Sequence, residues 1–81
     1  MDIKNILVVC VGNICRSPMA EYLLKQQYSN FIIESAGISG LTGRAADAKA
    51  QLCMQRLNID ISQHVARKLN VEQLKQADLV L

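Results

Sequence analysis

Cys10-Val11-Gly12-Asn13-Ile14-Cys15-Arg16-Ser17 separates an apolar run, Ile6-Leu7-Val8-Val9, from a helix-like stretch that opens on Pro18. A loop so placed leads from the C-terminal end of a strand into the N-terminus of a helix. Its backbone N–H groups converge on a small concavity, and with the helix dipole behind them they bind phosphate-like anions. The same field favours a thiolate over a thiol. Arg16 adds a planar fork that can hold two oxygens at once. The reading is of a nucleophile at Cys10 beneath an anion cradle over Val11, Gly12, Asn13, Ile14, Cys15 and Arg16. That combination suits phosphoryl transfer through a cysteinyl-phosphate.

Outward from the loop, residues 3–11 form a near-continuous β-branched and leucine run, the pattern of a central parallel strand covered on both faces. Ser17 and Pro18 read as the cap and first turn of a helix reaching about residue 28, with Glu21 close behind. Met19, Ala20, Leu23 and Leu24 give that helix its apolar face, and Asn30 ends it. Residues 31–35 read as a second strand. Gly37, Gly40 and Gly43 punctuate a loop over residues 36–46. Asp47 is expected to cap a helix to about residue 57, with Leu52, Cys53 and Leu57 on its buried side. Asn70 and Gln73 form a capping-box pattern that opens a short helix to about residue 76, and residues 77–81 read as a third strand. The order β-α-β-α-α-β argues for an α/β fold, a parallel sheet with right-handed βαβ crossovers. The last strand is expected to be the edge of the sheet, or else the chain is a fragment.

The 81 residues allow one domain. Hydrophobic content of 51% with 20% charged residues reads as globular. The net charge of +2 is mild, and Lys4, Lys25, Lys49, Arg56 and Lys75 form no stripe with interleaved aromatics, so nucleic acid is not an expected partner. No apolar run is long enough to span a bilayer, and Asp2 and Lys4 leave no signal-peptide pattern at the start. Three cysteines make neither a disulfide framework nor a zinc site, which points to a reducing cytoplasm. No metal is expected, because Arg16 and the backbone supply the positive field.

Other residues have plainer readings. Cys53 falls at helical spacing with Leu52 and Leu57 and reads as core filling. His64, the single histidine, sits in a polar segment and reads as structural. Asp47 is the one carboxylate placed to reach the site, but it reads as a helix cap.

Val9-Cys10-Val11-Gly12-Asn13-Ile14-Cys15-Arg16-Ser17-Pro18 closely resembles the signature of the low-molecular-weight protein tyrosine phosphatases, above all the bacterial members that act beside tyrosine kinases in capsule and exopolysaccharide production. Met19-Ala20-Glu21, Ser35-Ala36-Gly37, Gly43-Arg44, Asp47, Asp60-Ile61-Ser62 with His64, Ala66 and Arg67, and residues 77–81 extend the similarity along the chain. It covers about the first half of a family domain. It implies Cys10 as nucleophile, Arg16 as ligand of the equatorial oxygens, and Ser17 as stabiliser of the Cys10 sulfur when it leaves. Gly12 and Asn13 shape the nest, since both tolerate positive φ. Cys15 is implied as a redox partner that shields Cys10 through a reversible disulfide; its alternative is core packing. Leu41 and Thr42 fall where relatives build the wall of the substrate cleft, and Gly40-Leu41 lacks the aromatic residue of animal members.

The implied partner is a phosphotyrosine-bearing protein, a bacterial tyrosine kinase being one example, with phosphate or another oxyanion in the loop. The family's general acid is an aspartate in an Asp-Pro-Tyr segment, and here Pro18 is the single proline. The second reading is therefore a catalytically weak, truncated anion-binding module that self-associates. An arsenate reductase shares the fold and loop but needs later cysteines, of which only Cys53 is present, and ranks last.

Overall fold

The computed structural model describes residues 3–39 and 41–81; Asp2 of the expected opening segment and Gly40 of the expected loop lie outside the described residues. The elements are β1 (Asn5–Cys10), α1 (Arg16–Gln27), β2 (Ile32–Gly37), α2 (Ala48–Gln55), α3 (Val71–Gln76) and β3 (Leu79–Val80). The sheet order is β2-β1-β3, with β1 parallel to both neighbours. The α/β order expected from the sequence is thus the observed one.

β1 is central because its side chains can be covered on both faces, and Ile6, Leu7 and Val8 are all buried. Cys10 pairs with Gly37 at the C-terminal end of the β1–β2 ladder, which sets the register of the loop above. β2 runs two residues past its expected end to make that pairing. On the other side, Leu81 donates to Leu7 O and Val9 donates to Leu81 O, both at 2.9 Å, so the ladder with β3 continues to the last residue. Asp78 secures the opposite end, where its carboxylate accepts from the Lys4 and Asn5 N–H groups, each at 2.9 Å.

Two apolar clusters meet at α1. Ile6, Val8 and Ile33 pack with Ala20, Leu24 and Phe31. Ala46, Ala50, Met54 and Ile61 pack with Met19, Tyr22 and Ile59. Asp47 caps α2 as expected, accepting from Lys49 N at 3.1 Å. The Asn70–Gln73 capping box is complete, with reciprocal bonds of 2.8 and 2.9 Å.

Two expectations are corrected. α1 begins at Arg16 after Cys15, so Ser17 lies inside the first turn and does not cap the helix; no side chain does. Glu21, one turn on, accepts from Ser35 of β2. The buried residues of α2 are Ala50 and Met54, in line with Ala46 just before its cap, which leaves Leu52 and Cys53 of the helix and Leu57 beyond it exposed. Cys53 is therefore not core filling. Its apolar neighbours mimicked a buried face, but a two-turn helix buries only one narrow stripe. Among the described residues, no helix is long and apolar enough to cross a membrane.

Candidate active site

β1 delivers Cys10 to the top of the sheet, and the chain turns over residues 11–15 before entering α1. Asn13 makes the turn possible. Its backbone is in the left-handed region, φ 60°, and its side chain is fully buried. The short amide of asparagine tolerates that conformation and bonds locally. Gly37 lets the loop sit down on β2: a Cβ there would stand 2.7 Å from Val11 O, 2.8 Å from Gly12 C and 2.9 Å from Asn13 N. Strand and loop backbones touch because nothing intervenes.

Around the Cys10 sulfur, Ser17 Oγ lies at 2.9 Å and the Asn13 N–H donates from 3.3 Å. Burial pushes the Cys10 thiol up, but the Ser17 hydroxyl and the N–H groups of Ser17, Asn13 and Gly12 outweigh it and hold it below the usual thiol range. These donors favour the thiolate over the thiol.

The Asn13 side chain ties the loop to three other segments. Its Nδ2 donates to Ser17 Oγ at 2.8 Å and to Ser35 Oγ at 2.9 Å, and its Oδ1 accepts from Arg67 N–H at 2.9 Å. The Asn13 carbonyl meets His64 Nε2 at 2.7 Å. Ser35 Oγ donates to the buried Glu21 carboxylate, whose other oxygen pairs with Lys25 at 2.6 Å. Arg67 also donates from Nε to Ser35 O at 3.0 Å. Among the described residues, no buried side-chain nitrogen or oxygen lacks a partner, so the network is closed.

Above the loop lies an open cavity of about 430 Å³, lined by Cys10, Gly12, Cys15, Arg16 and Ser17, with Ala20 and Leu81 at its apolar side. Arg16 is exposed and has no carboxylate partner among the described residues, so its guanidinium is available to an anion. Leu41 reaches the rim, where its N–H donates to Gly12 O at 3.3 Å and its side chain stands over Gly12. Thr42 is exposed nearby in the chain.

Of the sequence-expected residues, Cys10 ends β1, Val11, Gly12, Asn13, Ile14 and Cys15 make the loop, and Arg16 and Ser17 open α1. Cys15 is exposed, which removes its core-packing alternative. Asp47 is spent on its helix cap, although its N–H donates to Ile14 O at 2.7 Å and steadies the loop. His64 is buried, and its bond to the Asn13 carbonyl braces the loop. Ser35 and Glu21 were not legible as site residues. The available signal was a serine between an apolar and a small position on one face of a strand, and a carboxylate one turn into a helix with a lysine four residues on. No group of three or more metal-ligating side chains occurs among the described residues.

The sequence pattern of the low molecular weight phosphotyrosine protein phosphatases matches residues 5–81. The low molecular weight protein-tyrosine-phosphatase Ptp of Acinetobacter johnsonii is 70% identical over 81 residues, all of this chain and 57% of that protein. The probable phosphatase EpsP of Ralstonia solanacearum is 51% identical over 98% of this chain and 54% of its own length. Among solved structures, Vibrio vulnificus Wzb in complex with benzylphosphonate superposes with a TM-score of 0.95 at 38% identity, over 99% of this chain and 57% of Wzb. The chain spans little more than half the length of these relatives. With its strand, loop and helix in the same arrangement, it belongs to the low molecular weight phosphotyrosine protein phosphatase family.

Proposed function

We propose that the site hydrolyses phosphomonoesters, phosphotyrosine on a protein above all, through a phosphate ester of Cys10. The observation that carries this is the set of donors on the Cys10 sulfur at an open cavity that Arg16 also lines. In the first step the thiolate attacks phosphorus, the S–P bond forms, and the bond to the leaving oxygen breaks. Arg16 grips two equatorial oxygens, and the loop N–H groups hold the rest of the developing charge. In the second step water attacks the same phosphorus, its proton passes through solvent to the aryloxide released in the first step, the S–P bond breaks, and the sulfur leaves as a thiolate stabilised by the Ser17 hydroxyl. A fixed cation and converging backbone donors are sufficient charge stabilisation for this chemistry.

Ptp is named as a protein-tyrosine-phosphatase, and Wzb was solved with an anion that joins a tetrahedral phosphonate to a benzyl group. Both support an aryl phosphate as the substrate class. We propose the exopolysaccharide-associated type with a tyrosine kinase as partner, on the resemblance of the loop sequence, and a reducing cytoplasm, on the cysteine usage. We also propose that Cys15, exposed on the same cavity, traps an oxidised Cys10 as a disulfide.

The second reading is a weak oxyanion-binding module, in which the loop holds an oxyanion through its N–H groups and Arg16 without turning it over. Hydrolysis of p-nitrophenyl phosphate separates the readings, because its leaving group needs no proton. Turnover that Cys10→Ser abolishes, with phosphate binding retained, supports the enzyme. Phosphate binding without turnover supports the module.

A further inference from the structure

We propose that Glu21 is a positioning residue that fixes the direction of the hydrogen bond from Ser17 to Cys10; the proposal rests on the reading of Cys10 as nucleophile. Glu21 does not line the cavity above Cys10. It acts from the other end of a chain of side chains, through Ser35 and Asn13.

The argument is one of proton direction. Asn13 Oδ1 accepts from Arg67 N–H, so its NH2 group faces Ser17 and Ser35, and both amide hydrogens are spent on those two hydroxyl oxygens. Each serine must then place its own proton elsewhere. Ser17 has the Cys10 sulfur at 2.9 Å, and Ser35 has Glu21 Oε1. If the Asn13 amide turned over, Oδ1 would face both hydroxyls and its lone pairs would accept both protons. Ser17 would then donate to Asn13, and the thiolate would lose its closest donor.

The turned-over arrangement is the one that would satisfy Ser35 if Ser35 had no other acceptor. Ser35 is 1% exposed, so no bulk water reaches it. An ionised carboxylate can only accept, so Glu21 takes the Ser35 proton and obliges Ser35 to accept from Asn13. Lys25, one helical turn along α1, holds the second carboxylate oxygen at 2.6 Å and keeps the group aimed at β2. Arg67 N–H is the second guard on the amide. His64 touches only the Asn13 main-chain oxygen and leaves the amide's orientation to the other groups. A carboxylate at 7% exposure is costly to bury, and this chain of bonds gives the burial a consequence at the sulfur.

The test is the rate of Cys10 alkylation by iodoacetamide against pH, with the adduct located by peptide mass and the melting temperature measured alongside. Glu21→Leu is expected to slow Cys10 alkylation at neutral pH about tenfold, the scale of one hydrogen bond to a charged group, and to move the pH profile upward. In a Ser17→Ala background the same change is expected to do nothing further, because the bond it acts through is gone. Glu21→Gln, whose carbonyl can still accept from Ser35, is expected to fall between. A lowered melting temperature with an unchanged alkylation profile, or equal slowing with and without Ser17, would overturn the proposal. Should Glu21→Leu fail to fold, Glu21→Gln with and without Ser17→Ala carries the same comparison. Failure of the nucleophile reading is seen separately, as turnover that survives Cys10→Ser.

Discussion

Replacing Gly37 by alanine isolates the contact on which the loop's shape depends. The added Cβ would meet Val11 O at 2.7 Å, Gly12 C at 2.8 Å and Asn13 N at 2.9 Å, all of them backbone atoms. An ordinary C···O approach is about 3.3 Å, so the loop would have to rise by about 0.6 Å. The strand cannot yield instead, because Gly37 N–H donates to Arg67 O and its carbonyl accepts from Leu69 N–H, at 2.9 and 2.8 Å. The displaced atoms include the N–H groups aimed at Cys10. A reacting constellation tolerates about 0.5 Å of error, and 1 Å costs about a hundredfold. Gly37→Ala is therefore expected to weaken phosphate binding by tenfold or more and to slow Cys10 alkylation. Overpacking should lower stability by about 1–3 kcal/mol. Gly43→Ala is the control. There φ is +88° and the Cβ meets nothing within 4 Å. The left-handed backbone should cost about 1–2 kcal/mol and leave the site untouched. Calorimetric titration with phosphate, with urea unfolding alongside, measures both variants. Parent-like phosphate affinity in Gly37→Ala would refute the reasoning.

Further predictions can be checked with the same preparations. Arg16→Lys should weaken phosphate binding and slow phosphorylation of Cys10 in single-turnover quench experiments, since a point charge cannot replace a planar fork; unchanged rates would remove Arg16 from the site. Alkylation of Cys10 should rise with pH at lower pH than alkylation of a cysteine in a short unstructured peptide, because the donors around Cys10 favour its thiolate. Mild peroxide should join Cys10 to Cys15 reversibly, and sulfinic acid on Cys10 with Cys15 untouched would contradict that pairing. The Asp78 carboxyl is held low by the Asn5 and Lys4 N–H groups. Its contribution to stability is full above the usual carboxylate range and lost as pH falls through its lowered value. Asp78→Ala should therefore narrow the difference between urea midpoints at neutral and acid pH.

The loop was legible because its chemistry is local. Cys10, the turn at Gly12 and Asn13, Arg16 and Ser17 lie within eight residues, and the strand before and helix after them follow from simple patterns. The capping residues Asp47 and Asn70 were readable for the same reason. What was not legible depends on contacts far apart in sequence. Ser35 lies 22 residues from Asn13, and Arg67 lies 54 residues from it, and nothing in a strand pattern announces such a meeting. Ser17 was misread as a cap because serine before proline satisfies the local rule; the demand of Cys10 and Asn13 for its hydroxyl overrode it. Cys53 was misplaced because apolar letters on a two-turn helix do not reveal which stripe Ile61 will cover.

The central claim is that Cys10 accepts the phosphoryl group. Rapid acid quench of the protein with p-nitrophenyl phosphate, followed by peptide mass analysis, addresses it without reliance on steady-state turnover. The account predicts one phosphoryl group on the peptide carrying Cys10, formed with a matching burst of p-nitrophenolate and lost in Cys10→Ser. Release of p-nitrophenolate with no adduct on Cys10, or with the adduct on another residue, would contradict it.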